Sequence, residues 1–184
     1  DLYNRYEIAG MGKKWKMFNS FPNGDLNVVE FSVNEVKFAD VKSVSDSSIM
    51  KYGDAAIMII SRNGSENGDL NFNTPESSNN NYSDLTNDEI EILNNLMEYK
   101  KQGKVKNVVL VLNTANPMQF KNISKFDIDA CLWSGNGGTS SFRALADVLS
   151  GKLDPSGHLA DTYLFDNYSA PSTVNQGDFT YLSL

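Results

Sequence analysis

Three times along this chain a strand-like apolar stretch gives way to turn formers and then to residues of helical period. That recurrence restricts the possible folds more than any other feature of the sequence. Residues 55–60, Ala-Ala-Ile-Met-Ile-Ile, carry no polar interruption and read as a central strand buried on both faces. A second apolar run, 105–112, is broken only by Lys106 and Asn107, and Pro117 shortly beyond it forbids further strand. A third spans 129–134. Between the first two runs, Thr86 followed by Glu89 forms a capping-box pattern, and Ile90, Leu93, Leu96 and Met97 then repeat at helical spacing as far as Gly103. After the third, Phe142, Leu145, Ala146, Val148 and Leu149 share one helical face that stops at Gly151. Ahead of them all, Val29, Phe31 and Val33 alternate with polar residues over 27–38, the period of a half-buried strand. Ser45 or Asp46 then caps a short helix through Lys51, and Gly53 punctuates before the next strand.

Strands separated by helices imply a mostly parallel sheet with helices on both faces, and the fold class expected is α/β, a three-layer α/β/α sandwich. The 184 residues are enough for one domain with a substantial core. Its best-defined part is 46–162, whereas 1–45 and 163–184 show weaker patterns. The stretch 71–84 is polar and interrupted by Pro75, as in a mobile loop, and 154–184 has the irregular composition of a tail that wraps a surface or expects a partner.

Composition removes several classes of function. No apolar run approaches the roughly 20 residues that span a bilayer. A net charge of −7, with no basic stripe beyond 13–16 and 100–106, disfavours nucleic acid as a partner. Cys131 is the sole cysteine and sits in an apolar run, so it reads as a buried, inert thiol. The chain opens on Asp1 without Met or a signal-like segment, as a piece of a longer or processed protein does.

The richest candidate for chemistry follows the first apolar run. At Ser61 the sequence turns to Arg62, Asn63, Gly64, Ser65, Glu66, Asn67, Gly68 and Asp69, ionisable groups and turn formers at the carboxyl end of a strand, where open α/β sheets build their sites. A solvated loop would have the same composition. Gly135-Asn136-Gly137-Gly138 lies between a strand and a helix but lacks the full glycine pattern of a dinucleotide or phosphate loop, so nucleotide binding is disfavoured. His158 has no nearby cysteine or paired carboxylate and reads as a surface residue; Trp133 reads as core rather than as a sugar platform.

A longer pattern joins these pieces. Gly53-Asp54-Ala55-Ala56 leading to Ser65-Glu66, then Val109-Leu110-Val111-Leu112-Asn113 with Asn116-Pro117, then Leu132-Trp133, occur in order. They are followed by Ala144-Leu145-Ala146-Asp147-Val148-Leu149-Ser150-Gly151 and Asp154-Pro155-Ser156-Gly157-His158-Leu159. The set resembles the C-terminal α/β sandwich domain of glycoside hydrolase family 3 over about 46–162, and 144–159 resembles the family's ALADVLxGxxNPSGxLP pattern, with Asp154 for its Asn and Ala160 for its Pro.

The resemblance implies a β-glucosidase-like retaining glycosidase whose substrate is a β-glycoside or oligosaccharide. It divides the two catalytic carboxylates between domains: an Asp nucleophile on an N-terminal (β/α)8 barrel, and a Glu reaching across from the sandwich. Glu66 resembles that Glu. The family's loop often reads Ser-Gly-Glu-Gly, whereas here Gly64-Ser65-Glu66-Asn67-Gly68 displaces the glycines, and Asp69 and Glu76 are rivals for the role. No metal or organic cofactor is implied. The barrel would be a partner domain outside these 184 residues, and this chain alone is expected to be inactive. A non-catalytic carbohydrate-binding or structural domain, and a nucleotide-binding module using the Gly135 loop, are the alternatives.

Overall fold

The computed structural model describes residues 35–62, 83–135, 137 and 140–174. Helix α1 (Phe38–Lys51) leads to strand β1 (Ala55–Arg62), helix α2 (Asn87–Lys101), strand β2 (Asn107–Thr114), a 3-10 turn (Ile123–Lys125), strand β3 (Ala130–Trp133) and helix α3 (Ser141–Leu149). A second 3-10 turn (Asn167–Ser169) and a short helix α4 (Pro171–Val174) follow. The fold is α/β. Its three strands are parallel in the order β1-β2-β3, with Met58 opposite Leu110 and Leu112 opposite Trp133.

Alternation along the strands decides where the core lies. Met58 and Ile60 of β1 and Val108, Leu110 and Leu112 of β2 point to one face, which α1 and α2 cover with Phe38, Val41, Leu93, Leu96 and Tyr99. Phe38 and Tyr99 meet as tilted rings 6.1 Å apart, joining the two helices. On the opposite face Ile57 and Ile59 are 48% and 41% exposed, while Val111 of the middle strand is fully buried. Among the described residues, therefore, β1 is an edge strand with one covered face. Among those residues β2, rather than the 55–60 run read as a central strand buried on both sides, has the central place. An unbroken apolar run does not distinguish the two cases, because burial of the second face depends on neighbours outside the run.

Helix α2 is specified locally. Thr86 accepts from the backbone N–H of Glu89, and the Glu89 carboxylate accepts from the backbone N–H of Thr86, completing the expected capping box. Gly103, at φ 69°, lets the chain leave the helix with Lys104 N–H donating to Tyr99 O. Helix α1 departs from expectation. It begins at Phe38, so Ser45 and Asp46 lie inside it instead of capping it, and Phe38 is helical rather than the end of a strand. Burial of Phe38 and Val41 holds the early turns, and the polar residues are satisfied within the helix, Ser47 Oγ donating to Ser43 O and Lys42 pairing with Asp46. The residues 27–34 of the expected first strand lie outside the described residues.

The two helix-to-strand passages touch at Gly53. A Cβ there would stand 2.4 Å from Lys104 O, and Gly53 O accepts from Lys106 N–H at 2.9 Å, so only glycine permits the approach that sets β1 beside β2. The segment after α3 is largely irregular and lies along the exit of β2. Phe120 N–H donates to Leu164 O, Asn167 N–H donates to Gln119 Oε1, and Lys121 pairs with Asp166. For the described part of the tail, this is the wrapping course its composition suggests. No helix among the described residues is long and apolar enough to cross a membrane.

Candidate functional site

Parallel strands all end on the same edge of a sheet, so the polar residues that follow them gather there. Ser61 and Arg62 of β1 stand opposite Asn113 and Thr114 of β2, and Trp133 of β3 stands opposite Leu112. Glu66, Asp69 and Glu76 belong to the segment 63–82, which lies outside the described residues. The structure shows the two ends from which that segment springs, and both sit on this edge.

The ends are tied together by a buried polar network that sequence reading did not identify. Arg62 grips the Glu89 carboxylate with both arms of its guanidinium, Nη1 to Oε1 at 2.6 Å and Nη2 to Oε2 at 2.7 Å. Their side chains are 9% and 4% exposed. Nη1 also donates to Ser61 O, and Nη2 to Asp84 O at 2.9 Å. The Asp84 carboxylate accepts from Gln119 Nε2 at 2.6 Å, from Asn122 Nδ2 at 2.7 Å and from Leu85 N–H. Ser83 O accepts from Gln119 N–H at 2.7 Å. Forked, charge-assisted bonds of this kind are strong and directional, and removing one partner of a buried pair typically costs about 3–5 kcal/mol because the other charge is stranded. Glu89 was visible in the sequence only as half of a capping box. The other signal was Arg62 itself, a lone cation closing an apolar run.

Ser83 and Asp84 correct the expectation of a mobile stretch at its carboxyl end, since Ser83 is buried and Asp84 is held by three donors. The remainder, 71–82, lies outside the described residues.

Beside the network a shallow hollow is lined by Ala115, Pro117, Trp133, Leu159, Ala160, Asp161 and Tyr163. Trp133 is 41% exposed rather than core, and its indole N–H donates to Thr114 O at 2.9 Å. That bond fixes the ring, which lies 3.3 Å from where a Cβ on Gly135 would stand. Thr114 is fully buried, and among the described residues its Oγ1 makes no hydrogen bond of ordinary geometry; the Tyr163 hydroxyl interacts with it only outside that geometry.

The other sequence candidates stand apart from this arrangement. His158 is exposed, as expected of a surface histidine. Cys131 is exposed by area, which corrects the expectation of a buried residue, yet its surroundings desolvate the sulfur and push the thiol up to about 11. A thiol so raised stays protonated at neutral pH, and the reading of it as inert stands on that ground. In the glycine loop Gly135 adopts φ 62°, while Asn136, Gly138 and Thr139 lie outside the described residues. No group of three or more His, Cys, Asp or Glu among the described residues is placed to hold a metal ion.

No curated protein matches the chain. The family model described as the glycosyl hydrolase family 3 C-terminal domain matches residues 12–181.

Proposed function

Because the chain belongs to glycosyl hydrolase family 3, as that family's C-terminal domain, we propose that it supplies the general acid/base of a retaining β-glycosidase. In this reading Glu66 is that carboxylate, and the nucleophile Asp belongs to a (β/α)8 barrel elsewhere in the same protein. The substrate is a terminal, non-reducing β-linked sugar, a β-glucoside first of all. The family match over nearly the whole chain carries the proposal, and the placement of both ends of 63–82 on the carboxyl edge of the sheet supports it.

A retaining glycosidase brings two carboxyl groups to about 5–5.5 Å. One attacks the anomeric carbon while the other gives its proton to the departing oxygen, and that second group then takes a proton from the water that releases the sugar. Closing Glu66 against a negatively charged nucleophile in a partly dehydrated cleft would raise its pKa, so that the proton is present at neutral pH when the leaving group needs it. Electrostatics and positioning supply this chemistry, and the proposal includes no metal or cofactor.

The test uses the barrel-containing enzyme. A good leaving group such as dinitrophenolate departs without protonation. Glu66→Ala is therefore expected to lower kcat/KM by several orders of magnitude on an alkyl β-glucoside and far less on the dinitrophenyl β-glucoside. Azide, which needs no general base, should then restore turnover and give a glycosyl azide of retained β configuration. Equal losses on both substrates without azide rescue would remove Glu66 from the role; Asp69→Ala and Glu76→Ala in the same assay identify the carboxylate that holds it.

A further inference from the structure

We propose that the hollow beside Trp133 is a saccharide-binding site, in which the indole carries the ring of a β-linked glucosaccharide and Asp161 accepts hydrogen bonds from its hydroxyls. The ligand's chemistry follows from the hollow itself, and the choice of glucose as its sugar rests on the proposed glycosidase function. Trp133 ends β3 at the carboxyl edge of the sheet with 41% of its surface exposed. Its indole is nonetheless held on two sides. The ring N–H donates to Thr114 O at 2.9 Å. A Cβ on Gly135 would stand 3.3 Å from Cζ2 and 3.6 Å from both Cε2 and Cη2. Nearly equal distances to three successive ring atoms put Gly135 over a face of the indole rather than at its edge. At φ 62° and without a side chain, Gly135 backs that face closely. The other face is left to the hollow, which Trp133 lines with Pro117, Leu159, Asp161 and Tyr163.

An aromatic ring fixed before binding loses little freedom when a ligand stacks on it. The shallowness of the hollow excludes a ligand that needs enclosure and suits a flat one laid against the indole. The rim decides what kind of flat ligand. Among the described residues the Asp161 carboxylate makes no hydrogen bond or ion pair, and it lies close enough to Tyr163 to act on its hydroxyl electrostatically. An unengaged carboxylate accepts hydroxyl hydrogens and repels anions, and a net charge of −7 over the chain works in the same direction, so nucleotides and other phosphate esters are disfavoured. The ligand therefore has an apolar face and an uncharged rim of hydrogen-bond donors. A pyranose with equatorial hydroxyls meets both demands, since its faces present axial C–H groups and its rim presents hydroxyls. β-Linked glucose is such a ring.

The experiment titrates the 184-residue chain with cellobiose, methyl β-glucoside and adenosine, following by NMR the indole N–H resonance of Trp133, assigned by its absence from Trp133→Phe. The expected result is a saturable shift with both sugars, in the millimolar range, and none with adenosine. Saturation transferred from protein to sugar should be strongest at the axial C–H protons and should vanish in Trp133→Ala. If that variant does not fold, Asp161→Asn, at an exposed position, decides the question: it should weaken binding of either sugar about tenfold, as loss of a charge-assisted hydrogen bond does. Sugar binding that survives Trp133→Ala or is indifferent to Asp161→Asn overturns the proposal, as does a Trp133 resonance moved by adenosine and by neither sugar. A resonance that no ligand moves overturns it too; protection of the indole N–H from exchange only when the barrel is present would then mark the hollow as a surface packed on the barrel. All of these measurements proceed without the barrel's nucleophile and without turnover, so their failure leaves the acid/base assignment intact. Kinetics of Glu66→Ala that remove Glu66 from its role leave the binding result standing.

Discussion

Tyr99 illustrates how one buried polar atom couples the core to solution conditions. Its ring packs against Phe38 under α1, and its hydroxyl donates to Asp46, which also accepts from Lys42. Burial first, and then the bond to Asp46, push the phenol up to about 12 from the usual 10, and the Lys104 ammonium stands over the ring at 5.6 Å from its centre. The folded chain holds this proton more tightly than the unfolded chain does. Stability from this group is therefore fully present below pH 10 and is lost as pH rises toward about 12. Tyr99→Phe should lower stability at neutral pH by loss of the bond, but decline less steeply than the parent between pH 10 and 12. Urea titrations of both proteins across that range measure the difference. Parallel declines would show that the phenol holds no such proton.

Helix α2 was legible because its signals are local: the cap, the box partner three residues on, the apolar spacing and the terminal glycine all lie within the helix and its ends. The same locality makes its cap testable. Thr86→Ala removes the acceptor for Glu89 N–H but leaves Glu89 able to accept from residue 86 and from Arg62, so the cost should be that of one cap, about 1 kcal/mol, with the slope of denaturant unfolding unchanged. A loss of more than about 3 kcal/mol would mean that Thr86 also supports the buried pair. Helix α1 was less legible, since Ser45 and Asp46 resemble caps until one sees that Asp46 is occupied by Lys42 and Tyr99, the latter 53 positions away. The burial of β1 has no local signature for a similar reason: Ile57 and Ile59 are as apolar as Met58 and Ile60, and among the described residues only the placement of α1 and α2 separates the two faces. The Arg62–Glu89 pair spans 27 positions and has no local signature, because Glu89 is already explained by its cap.

At the scale of the whole molecule, the carboxyl edge of the sheet has a defined capacity for chemistry. A retaining mechanism needs two carboxylates, one unencumbered enough to attack carbon and one able to carry a proton. Of the described carboxylates at this edge, Glu89 is engaged by Arg62 and the backbone N–H of Thr86, and Asp84 by Gln119, Asn122 and Leu85. Neither is placed to act as a nucleophile without dismantling the network that ties Arg62 to Asp84 and Glu89. Asp166 at this edge is paired with Lys121, and Asp161 lines the hollow beside Trp133. The 184-residue chain should therefore give no turnover of dinitrophenyl β-glucoside, a substrate that needs a nucleophile but no acid. Activity should appear only in a polypeptide that also carries the barrel. The measurement is dinitrophenolate release by the purified chain, with Asp161→Asn and Glu66→Gln prepared alongside it. Release by the chain that Asp161→Asn abolishes would show a complete site within this domain and would end the division of the two carboxylates between domains.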